Sequence, residues 1–451
     1  MTQQLTIFPG HPLKGEVDLP GDKSLSHRAA LLAALAEGES CTDHFLVAGV
    51  TRVMLDALTA LGVAWSLEGS YLRVEGRGLA GLGAGGAAPG PALFCGSSAT
   101  TLRLLAGALA AAGSPARLEG SPGLERRPMA RLVEPLREMG VQIDAAPGGT
   151  APLQLHPRPN GQKLRAAELH LPVASAQLKS ALLLAGLSAD GPLTLHEPGP
   201  SRDHTERMLS AAGVAVTSAA ENDGCRVNLV PPSDGKLKPL QLSLPGDFSS
   251  AAFLIVAGLI TPGSELRIRR VGLNPTRTGL LDVLSEMGGE IRVVDAAEEG
   301  NEPVGDLLVR SSQLTGGEVC GTRVVRMIDE FPAFGAAAAF AEGPTRVTGA
   351  EELRYKESDR ISQICQGLRA IGVPAEETPD GFSIPGSAAP AGGKVDAAGD
   401  HRLAMAFTLA GLASLKPVTV SGAEMISESY PGFIETLQSL GAEILVDEEP
   451  G

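Results

Sequence analysis

The sequence predicts an α/β protein of six βαβαββ repeats, with three repeats in each of two lobes. A short strand ending in a small or charged turn returns about every 75 residues. The helix after each turn consists mainly of small residues. A second helix then closes on a glycine 41 to 44 residues beyond the turn. The turns lie at residues 19–22, 94–97, 171–174, 244–247, 329–332 and 400–402, and the closing glycines are Gly62, Gly140, Gly213, Gly288, Gly372 and Gly441.

Repeat one shows the expected elements most clearly. Residues 14–19 alternate between apolar and polar, as a half-buried strand does. Asp22 is a candidate N-cap for a helix from Lys23 to Leu35. The second helix is predicted at 51–61, and Gly62 fits a left-handed stop after it. The last two strands of the repeat are predicted at residues 64–67 and 71–74.

Repeat six is incomplete, because the chain ends shortly after its second helix, whereas residues 5–8 form a spare strand before repeat one. The simplest closure places that strand in the C-terminal half. Lobe one then comprises residues 1–20 plus 246–451, and lobe two comprises residues 21–245. We expect the chain to cross between the lobes near residues 20 and 245, with a ligand cleft between them.

Composition limits the class of protein. Of the 451 residues, 43% are apolar and 20% are charged, which is typical of a soluble globular protein. The net charge of −15 argues against nonspecific nucleic-acid binding, which requires basic surfaces. The five cysteines form no C-x-x-C pair, which indicates reduced thiols. We therefore expect a cytoplasmic monomer without a secretory signal that binds neither nucleic acid nor a membrane.

The sequence gives little indication of a metal site and none of a P-loop nucleotide site. The sequence Asp203-His204-Thr205-Glu206 could suggest a metal site, but it lacks a second histidine four residues away and a third ligand. No P-loop motif occurs. We expect no metal and no organic cofactor.

Basic side chains recur at the turns and helix starts, where cations oppose the helix dipole. Lys23, Ser24 and Arg28 begin the first helix of repeat one. A single case is compatible with a solvated first turn, but recurrence at equivalent positions predicts a convergent site for anions. The other positions are Arg103, with Arg126-Arg127-Pro128 expected to open a second helix, in repeat two; Ser175, Gln177 and Arg202 in repeat three; Lys356 and Arg360 in repeat five; and His401-Arg402 in repeat six.

Two carboxylates lie among these cations. Asp329 is at the turn into the first helix of repeat five, and Glu357 follows Lys356 at the expected start of its second helix. A carboxylate at such a place is most often a helix cap. Beside a ring of cations, however, the pair fits general acid–base catalysis, which contributes about 10²–10⁴ in rate.

These motifs together resemble the 5-enolpyruvylshikimate-3-phosphate (EPSP) synthase family, in particular its bacterial class II members, from about residue 5 to 446. The resemblance implies a two-lobed inside-out α/β barrel and no cofactor. It also implies transfer of the enolpyruvyl group of phosphoenolpyruvate to the 5-hydroxyl of shikimate 3-phosphate, with release of phosphate, in chorismate biosynthesis. The matching segments are residues 19–28, 125–129, 174–180, 274–279, 356–360 and 400–402.

The resemblance also implies roles for individual residues. Asp329 would take the hydroxyl proton, Glu357 would protonate the methylene carbon of phosphoenolpyruvate, and Lys23 would assist catalysis; whether Glu357 or Lys356 delivers the key proton stays open. The residues implied for shikimate 3-phosphate are Lys23, Ser24, Arg28, Ser175, Gln177, Arg202, Asp329 and Lys356, and those for phosphoenolpyruvate are Lys23, Ala99, Arg127, Gln177, Arg360 and Arg402.

Three positions depart from the usual family pattern. Ser97 stands where an asparagine amide is usual, Ala99 stands where many members have glycine, and Ser429 replaces a common lysine. We expect the Ala99 methyl to project into the phosphoenolpyruvate pocket and to weaken inhibition by glyphosate, which is longer than the substrate it mimics.

Two alternatives share part of this pattern. The UDP-N-acetylglucosamine enolpyruvyl transferase family shares the fold and the donor, but usually carries Lys-Asn where this chain has Lys23-Ser24, and a reactive cysteine that residues 121–127 lack. A noncatalytic repeat protein that binds small anions would have no need of Asp329 and Glu357 beside the cations.

Overall fold

The computed structural model describes residues 2–83, 89–159, 161–221, 224–386 and 389–449. The chain divides into two compact units. The terminal unit comprises Met1–Pro20, Pro245–Glu298 and Pro303–Gly451, and the central unit comprises Gly21–Leu244 with Glu299–Glu302.

The elements follow the repeat order along the chain. The terminal unit begins with β1 (Thr2–Phe8) and β2 (Lys14–Asp18). The central unit then contains α1 (Lys23–Leu35), β3 (Glu37–Asp43), α2 (Gly49–Ala60), β4 (Ala64–Glu68), β5 (Tyr71–Arg77), η1 (Leu79–Gly81), β6 (Ala92–Phe94), α3 (Ala99–Ala112), β7 (Ala116–Glu119), α4 (Pro122–Glu125), α5 (Ala130–Glu138), β8 (Ile143–Ala146), β9 (Thr150–Leu155), β10 (Ala167–His170), α6 (Ala176–Gly186), β11 (Leu193–Glu197), α7 (His204–Ala211), β12 (Ala215–Glu221), β13 (Gly224–Val230) and β14 (Gln241–Ser243), where η denotes a 3₁₀-helix.

The rest of the chain repeats this order. Its elements are α8 (Phe248–Ile260), β15 (Glu265–Gly272), α9 (Gly279–Glu286), β16 (Glu290–Glu299), β17 (Glu302–Arg310), β18 (Glu318–Val319), α10 (Thr322–Arg326), α11 (Phe331–Ala339), β19 (Thr345–Val347), η2 (Glu351–Tyr355), α12 (Arg360–Ala370), β20 (Glu376–Thr378), β21 (Gly381–Ile384), β22 (Gly393–Asp396), α13 (His401–Leu412), β23 (Val418–Ser421), η3 (Ala423–Glu428), α14 (Phe433–Ser439) and β24 (Glu443–Glu449).

The described residues form six four-stranded sheets, three in each unit. In each sheet an opening strand pairs in parallel with the strand after the first helix, and the other neighbours are antiparallel, as in the order β6-β7-β9-β8. In repeat six the last strand is supplied by β1, which lies antiparallel between β23 and β24, with Leu5 opposite Val420 and Val446. The expected placement of the spare N-terminal strand is therefore confirmed.

The opening strands of repeats one and four are exchanged. β2 pairs in parallel with β15, and β14 pairs in parallel with β3. The strand expected over residues 14–19, described above with repeat one, is β2, and it completes the sheet of repeat four. The chain passes from one unit to the other immediately after each exchanged strand.

The first helices of the repeats form the cores. In α8 all thirteen residues are buried, and α3 and α13 are buried along almost their whole length. A helix that is apolar on all sides belongs in an interior, so the helices lie inside and the sheets outside. Small residues permit the close packing: a Cβ at Gly107 of α3 would lie 2.1 Å from the carbonyl oxygen of Ala181 in α6.

The closing glycines end the second helices in the same way in all six repeats. Each has a left-handed φ, between 79° and 112°. In repeat one the Gly62 N–H donates to Thr59 O at 2.9 Å and the Val63 N–H donates to Leu58 O at 2.9 Å. This paired arrangement satisfies carbonyls that the helix end leaves open. The predicted stop at Gly62 is confirmed, although α2 begins two residues earlier than expected.

Among the described residues, no helix combines the length and the apolar character needed to cross a membrane.

Candidate active site

Helix α1 places three predicted site residues in the central unit. It spans the predicted Lys23–Leu35, and the Asp22 carboxylate accepts from the Leu25 N–H at 2.8 Å, as an N-cap does. Lys23 and Ser24 occupy the first turn, and Arg28 lies one turn further along. His27 Nδ1 lies 2.8 Å from the Lys23 carbonyl oxygen, a contact between the first and second turns of the helix.

Arg28 is buried, with 4% of its surface exposed. Its guanidinium donates to the Thr205 hydroxyl at 2.7 Å, the Ser180 hydroxyl at 2.8 Å and the Ser24 carbonyl at 3.0 Å. Burial lowers the pKa of Arg28 to about 10, although the nearby Glu206 carboxylate opposes the shift. All its hydrogen bonds within the described chain go to neutral hydroxyl and carbonyl oxygens. No carboxylate there accepts a hydrogen bond from this guanidinium, so it can still form an ion pair with an anion.

Helices α3 and α6 bring Gln177 into this group. Gln177 Oε1 accepts from Arg103 at 2.5 Å, and its amide donates to Thr100 at 2.9 Å. Ser175 caps α6 by accepting from the Leu178 N–H at 3.4 Å. Ser98 caps α3 in the same manner, so the predicted helix starts at both positions are confirmed. Ala99 is the first residue of α3 and is 3% exposed.

Two arginines of repeat two lie elsewhere than expected. Arg126 ends the short helix α4, and α5 begins only at Ala130 with Met129 as its N-cap. The prediction that Arg126, Arg127 and Pro128 open the second helix is wrong, because α4 and the residues after it take up that stretch. In repeat three, Arg202 precedes α7, as predicted, and Asp203 is the N-cap residue of that helix.

The terminal unit gathers Asp329, Lys356 and Arg360. Lys356 Nζ donates to Asp329 Oδ1 at 3.1 Å, and Arg360 Nη1 lies 3.8 Å from the same oxygen. Arg360 Nη2 lies 2.7 Å from Glu357 Oε2. One guanidinium therefore contacts both predicted acid–base carboxylates.

Arg360 is 1% exposed and is held mainly by Asp400. Its Nε and Nη2 donate to the Asp400 carboxylate at 2.8 and 3.1 Å. Burial alone would lower the pKa of this guanidinium, but the carboxylates of Asp400, Glu357 and Asp329 outweigh burial and raise it. Asp400 also caps α13 through the Arg402 N–H at 2.9 Å, so one carboxylate positions both arginines.

Arg402 reaches the opposite side of Asp329. Its Nη1 donates to the Asp329 carbonyl at 2.9 Å and lies 4.0 Å from Glu330 Oε1. Glu330 also accepts a short hydrogen bond from the Ser249 hydroxyl. Asp329 is thereby fixed through its backbone and its side chain.

Lys356 and Glu357 do not start a helix, contrary to the prediction. Lys356 follows η2, and α12 begins at Arg360 with Asp359 as its N-cap. The Asp359 carboxylate accepts from the Ser362 N–H at 3.1 Å, which is the capping role considered for Glu357. Glu357 therefore does not serve as the cap, and its carboxylate contacts Arg360 instead.

Comparison with known proteins identifies the family. Residues 7–437 match the family model described as EPSP synthase (3-phosphoshikimate 1-carboxyvinyltransferase). The chain belongs to the EPSP synthase family. The proteins named 3-phosphoshikimate 1-carboxyvinyltransferase from Methylococcus capsulatus and Pelobacter propionicus are 44% and 46% identical to it over 444 and 435 residues; each match covers at least 96% of this chain and 98% of the relative.

Solved structures agree with this assignment to the EPSP synthase family. An EPSP synthase structure from Acinetobacter baumannii is 40% identical, with a TM-score of 0.85, and the match covers 99% of this chain and 100% of that one. The enolpyruvyl transferase NikO from Streptomyces tendae, at 20% identity and a TM-score of 0.78 over the full length of both chains, shows the fold alone. The expected family and fold are confirmed, and a noncatalytic repeat protein is disfavoured.

Several residues beside the candidate site carry no role in the sequence-based prediction. Lys179, Glu197 and Glu206 form a buried ion cluster behind the central-unit residues, and Arg277 contacts Asp247 at 3.2 Å in the terminal unit. A lysine inside the apolar helix α6 was the available signal. No group of three potential metal ligands occurs among the described residues.

Proposed function

We propose that this protein transfers the enolpyruvyl group of phosphoenolpyruvate to the 5-hydroxyl of shikimate 3-phosphate and releases phosphate. One observation carries the proposal: in a chain that matches the EPSP synthase family over residues 7–437, a single buried arginine contacts the two carboxylates that the reaction needs. The proposal includes no metal and no organic cofactor.

The proposed binding groups are taken substrate by substrate. For shikimate 3-phosphate we propose Arg28 as the main phosphate ligand, because it is cationic and buried and its hydrogen bonds within the described chain go to neutral oxygens. The other proposed ligands of this substrate are Lys23, Ser24, Ser175, Gln177, Arg202, Asp329 and Lys356.

For phosphoenolpyruvate we propose Arg402 and Arg127 with Lys23 and Gln177. Arg360 contributes through Nη1, since its other nitrogens are held by Asp400 and Glu357. Ala99, at the start of α3, limits the size of the donor.

The chemistry proceeds by addition and then elimination. Asp329 takes the proton of the 5-hydroxyl while Glu357 gives a proton to the methylene carbon, and the new C–O bond forms at C2 of the donor. In the second step Glu357 takes a methyl proton back, phosphate leaves, and Asp329 returns its proton to the leaving group. The cations stabilise the charge that moves between the carboxylate and phosphate groups.

Lys356 holds Asp329 through a direct hydrogen bond, and Arg360 holds Glu357. This division supports Glu357 as the group that protonates carbon, with Lys356 as the partner of the base. We further propose a monomeric cytoplasmic enzyme that acts without nucleic acid or membrane.

The test is phosphate release from phosphoenolpyruvate with the purified protein. We expect release only when shikimate 3-phosphate is present, with formation of the enolpyruvyl ether confirmed by mass spectrometry. UDP-N-acetylglucosamine serves as the rival acceptor. Release with that sugar nucleotide, or with no acceptor, would contradict the proposal.

A further inference from the structure

A buried ion cluster lies directly behind the proposed phosphate ligands of the central unit. Lys179 on α6 is 1% exposed. Its Nζ lies 2.8 Å from Glu197 Oε2 at the end of β11 and 2.7 Å from Glu206 Oε1 in the first turn of α7. It also donates to the Ser201 carbonyl at 3.2 Å. The ammonium therefore has one hydrogen-bond acceptor and two carboxylates at ion-pair distance, and these three partners lie on three different segments.

Two members of this cluster are adjacent in sequence to residues that hold Arg28. Lys179 precedes Ser180, whose hydroxyl accepts from Arg28. Glu206 follows Thr205, whose hydroxyl accepts from Arg28 Nε and lies 2.6 Å from the Ser180 hydroxyl. Both side-chain hydroxyls that orient Arg28 are therefore attached to backbone that Lys179 holds in place.

The same lysine holds the loop that carries Arg202. Ser201 is fixed twice, because its carbonyl accepts from Lys179 and its hydroxyl donates to Glu197 Oε1 at 2.6 Å. Arg202 is the next residue. The position of Arg202, a second proposed ligand of shikimate 3-phosphate, thus depends on the same ammonium.

Electrostatics supports this arrangement. The cluster has one ammonium and two carboxylates, and burial alone would disfavour the charge on Lys179. The Glu206 and Glu197 carboxylates outweigh that effect and raise the pKa of Lys179. Glu206 also favours the cationic form of Arg28. Arg28 therefore gains a nearby negative charge without losing its hydrogen-bond donors to a carboxylate.

We propose that Lys179, with Glu197 and Glu206, forms a positioning cluster that sets Arg28 and Arg202 for the phosphate of the acceptor substrate. The inference rests on the proposed function. It assigns Lys179 no contact with substrate. Misplacement of ligands by about 1 Å has a large effect on binding and turnover, so the cluster matters for the acceptor and much less for phosphoenolpyruvate.

The test compares Lys179→Met with the triple variant Lys179→Met, Glu197→Gln, Glu206→Gln. The single variant leaves two carboxylates buried without their cation, which can prevent folding, whereas the triple variant leaves no unpaired charge. Affinity for shikimate 3-phosphate is measured by calorimetry and the KM for phosphoenolpyruvate by phosphate release. In the triple variant we expect at least about 10-fold weaker shikimate 3-phosphate binding and less than about 3-fold change in the other KM.

Two controls separate positioning from general stability. Arg158→Met removes a guanidinium that donates to the last carbonyls of α3, at 3.0 and 2.7 Å, far along the helix from Ser98. It should lower the melting temperature and leave shikimate 3-phosphate affinity unchanged. Lys179→Arg keeps the charge and should recover part of the affinity that Lys179→Met loses.

The outcomes are distinguishable. A parent protein that does not bind shikimate 3-phosphate refutes the proposed function. A parent that binds it, with a folded triple variant of equal affinity, overturns the positioning cluster. Failure of the triple variant to fold also overturns it, because the cluster would then serve stability.

Discussion

The two units are built from the same repeat, but one buried arginine in each, Arg28 and Arg360, has opposite surroundings. In the central unit Arg28 donates only to hydroxyl and carbonyl oxygens among the described residues. In the terminal unit Arg360 is held by Asp400 and Glu357 and lies near Asp329. A cation beside neutral oxygens keeps its attraction for an external anion, whereas a cation among carboxylates fixes those carboxylates in position. We infer that the central unit mainly binds phosphate and the terminal unit mainly arranges proton transfer.

The largest expected effect tests the catalytic role of the terminal unit. Asp329→Ala should lower kcat by about 10³-fold or more, because the general base is removed. Calorimetry should show unchanged binding of phosphoenolpyruvate. Binding of shikimate 3-phosphate, which loses one proposed ligand, should weaken far less than turnover falls. Near-parental turnover would refute the role of Asp329, and a matched Asp380→Ala variant in the same unit should retain activity.

Arg360→Met should act first on stability. It leaves Asp400 buried without its cation, and breaking a buried ion pair in this way costs about 3–5 kcal/mol. Urea unfolding should show the loss of stability in the absence of any substrate. An unchanged unfolding midpoint would mean that Arg360 is not a structural counter-ion, and would remove the contrast with Arg28.

Arg28→Met should act first on binding. Charged hydrogen bonds to a phosphate contribute about 1.5–3 kcal/mol each, so we expect about 10²-fold weaker binding of shikimate 3-phosphate. Stability should change less than in Arg360→Met, since no carboxylate is left without a partner. Equal affinities of variant and parent in calorimetry would contradict the assigned role.

Protonation of His27 would add a further positive charge inside the central unit, and the pH dependence of stability measures its cost. Burial lowers the pKa of its imidazole from 6.5 to about 4, and Lys23 and Arg28 add to the shift. The unfolded chain binds this proton before the folded protein does, so stability present above about pH 6.5 is lost as the pH falls toward 4, by up to ~3 kcal/mol.

The measurement is urea unfolding of the parent and of His27→Asn at about pH 7 and about pH 5. The parent should lose more stability than the variant between these two conditions. An identical loss in both proteins would show that His27 does not titrate in this range.

The smallest effect concerns Ala99. If its methyl narrows the donor pocket, Ala99→Gly should lower the inhibition constant of glyphosate by about 10-fold, which corresponds to one unfavourable methyl contact. Ala106→Gly, a buried alanine in the middle of the same helix, is the matched control and should leave inhibition unchanged. A constant for Ala99→Gly no lower than that of the parent would contradict the steric explanation.

The amino-acid sequence alone predicted the local features of the fold. The six repeats, the bounds of α1 and the glycine stops follow from caps and periodicities within a few residues along the chain. The Asp22 cap and the Gly62 stop each depend on hydrogen bonds within five residues. Both features depend only on neighbouring residues, so the local pattern was enough to predict them. The helix starts expected at Arg126 and Lys356 were wrong, because other segments of the chain occupy those stretches.

Long-range pairings needed the folded chain. The exchange of β2 and β14 joins residues more than 190 positions apart, and nothing within either strand specifies its partner. The same holds for the carboxylates around Arg360 and for the acceptors of Lys179. A sequence shows which side chains carry charge. The energy with which two charges interact depends on burial and on the distance between them, and distant segments of the chain decide both. For that reason the contrast between Arg28 and Arg360 emerged from packing, although both arginines could be named in advance.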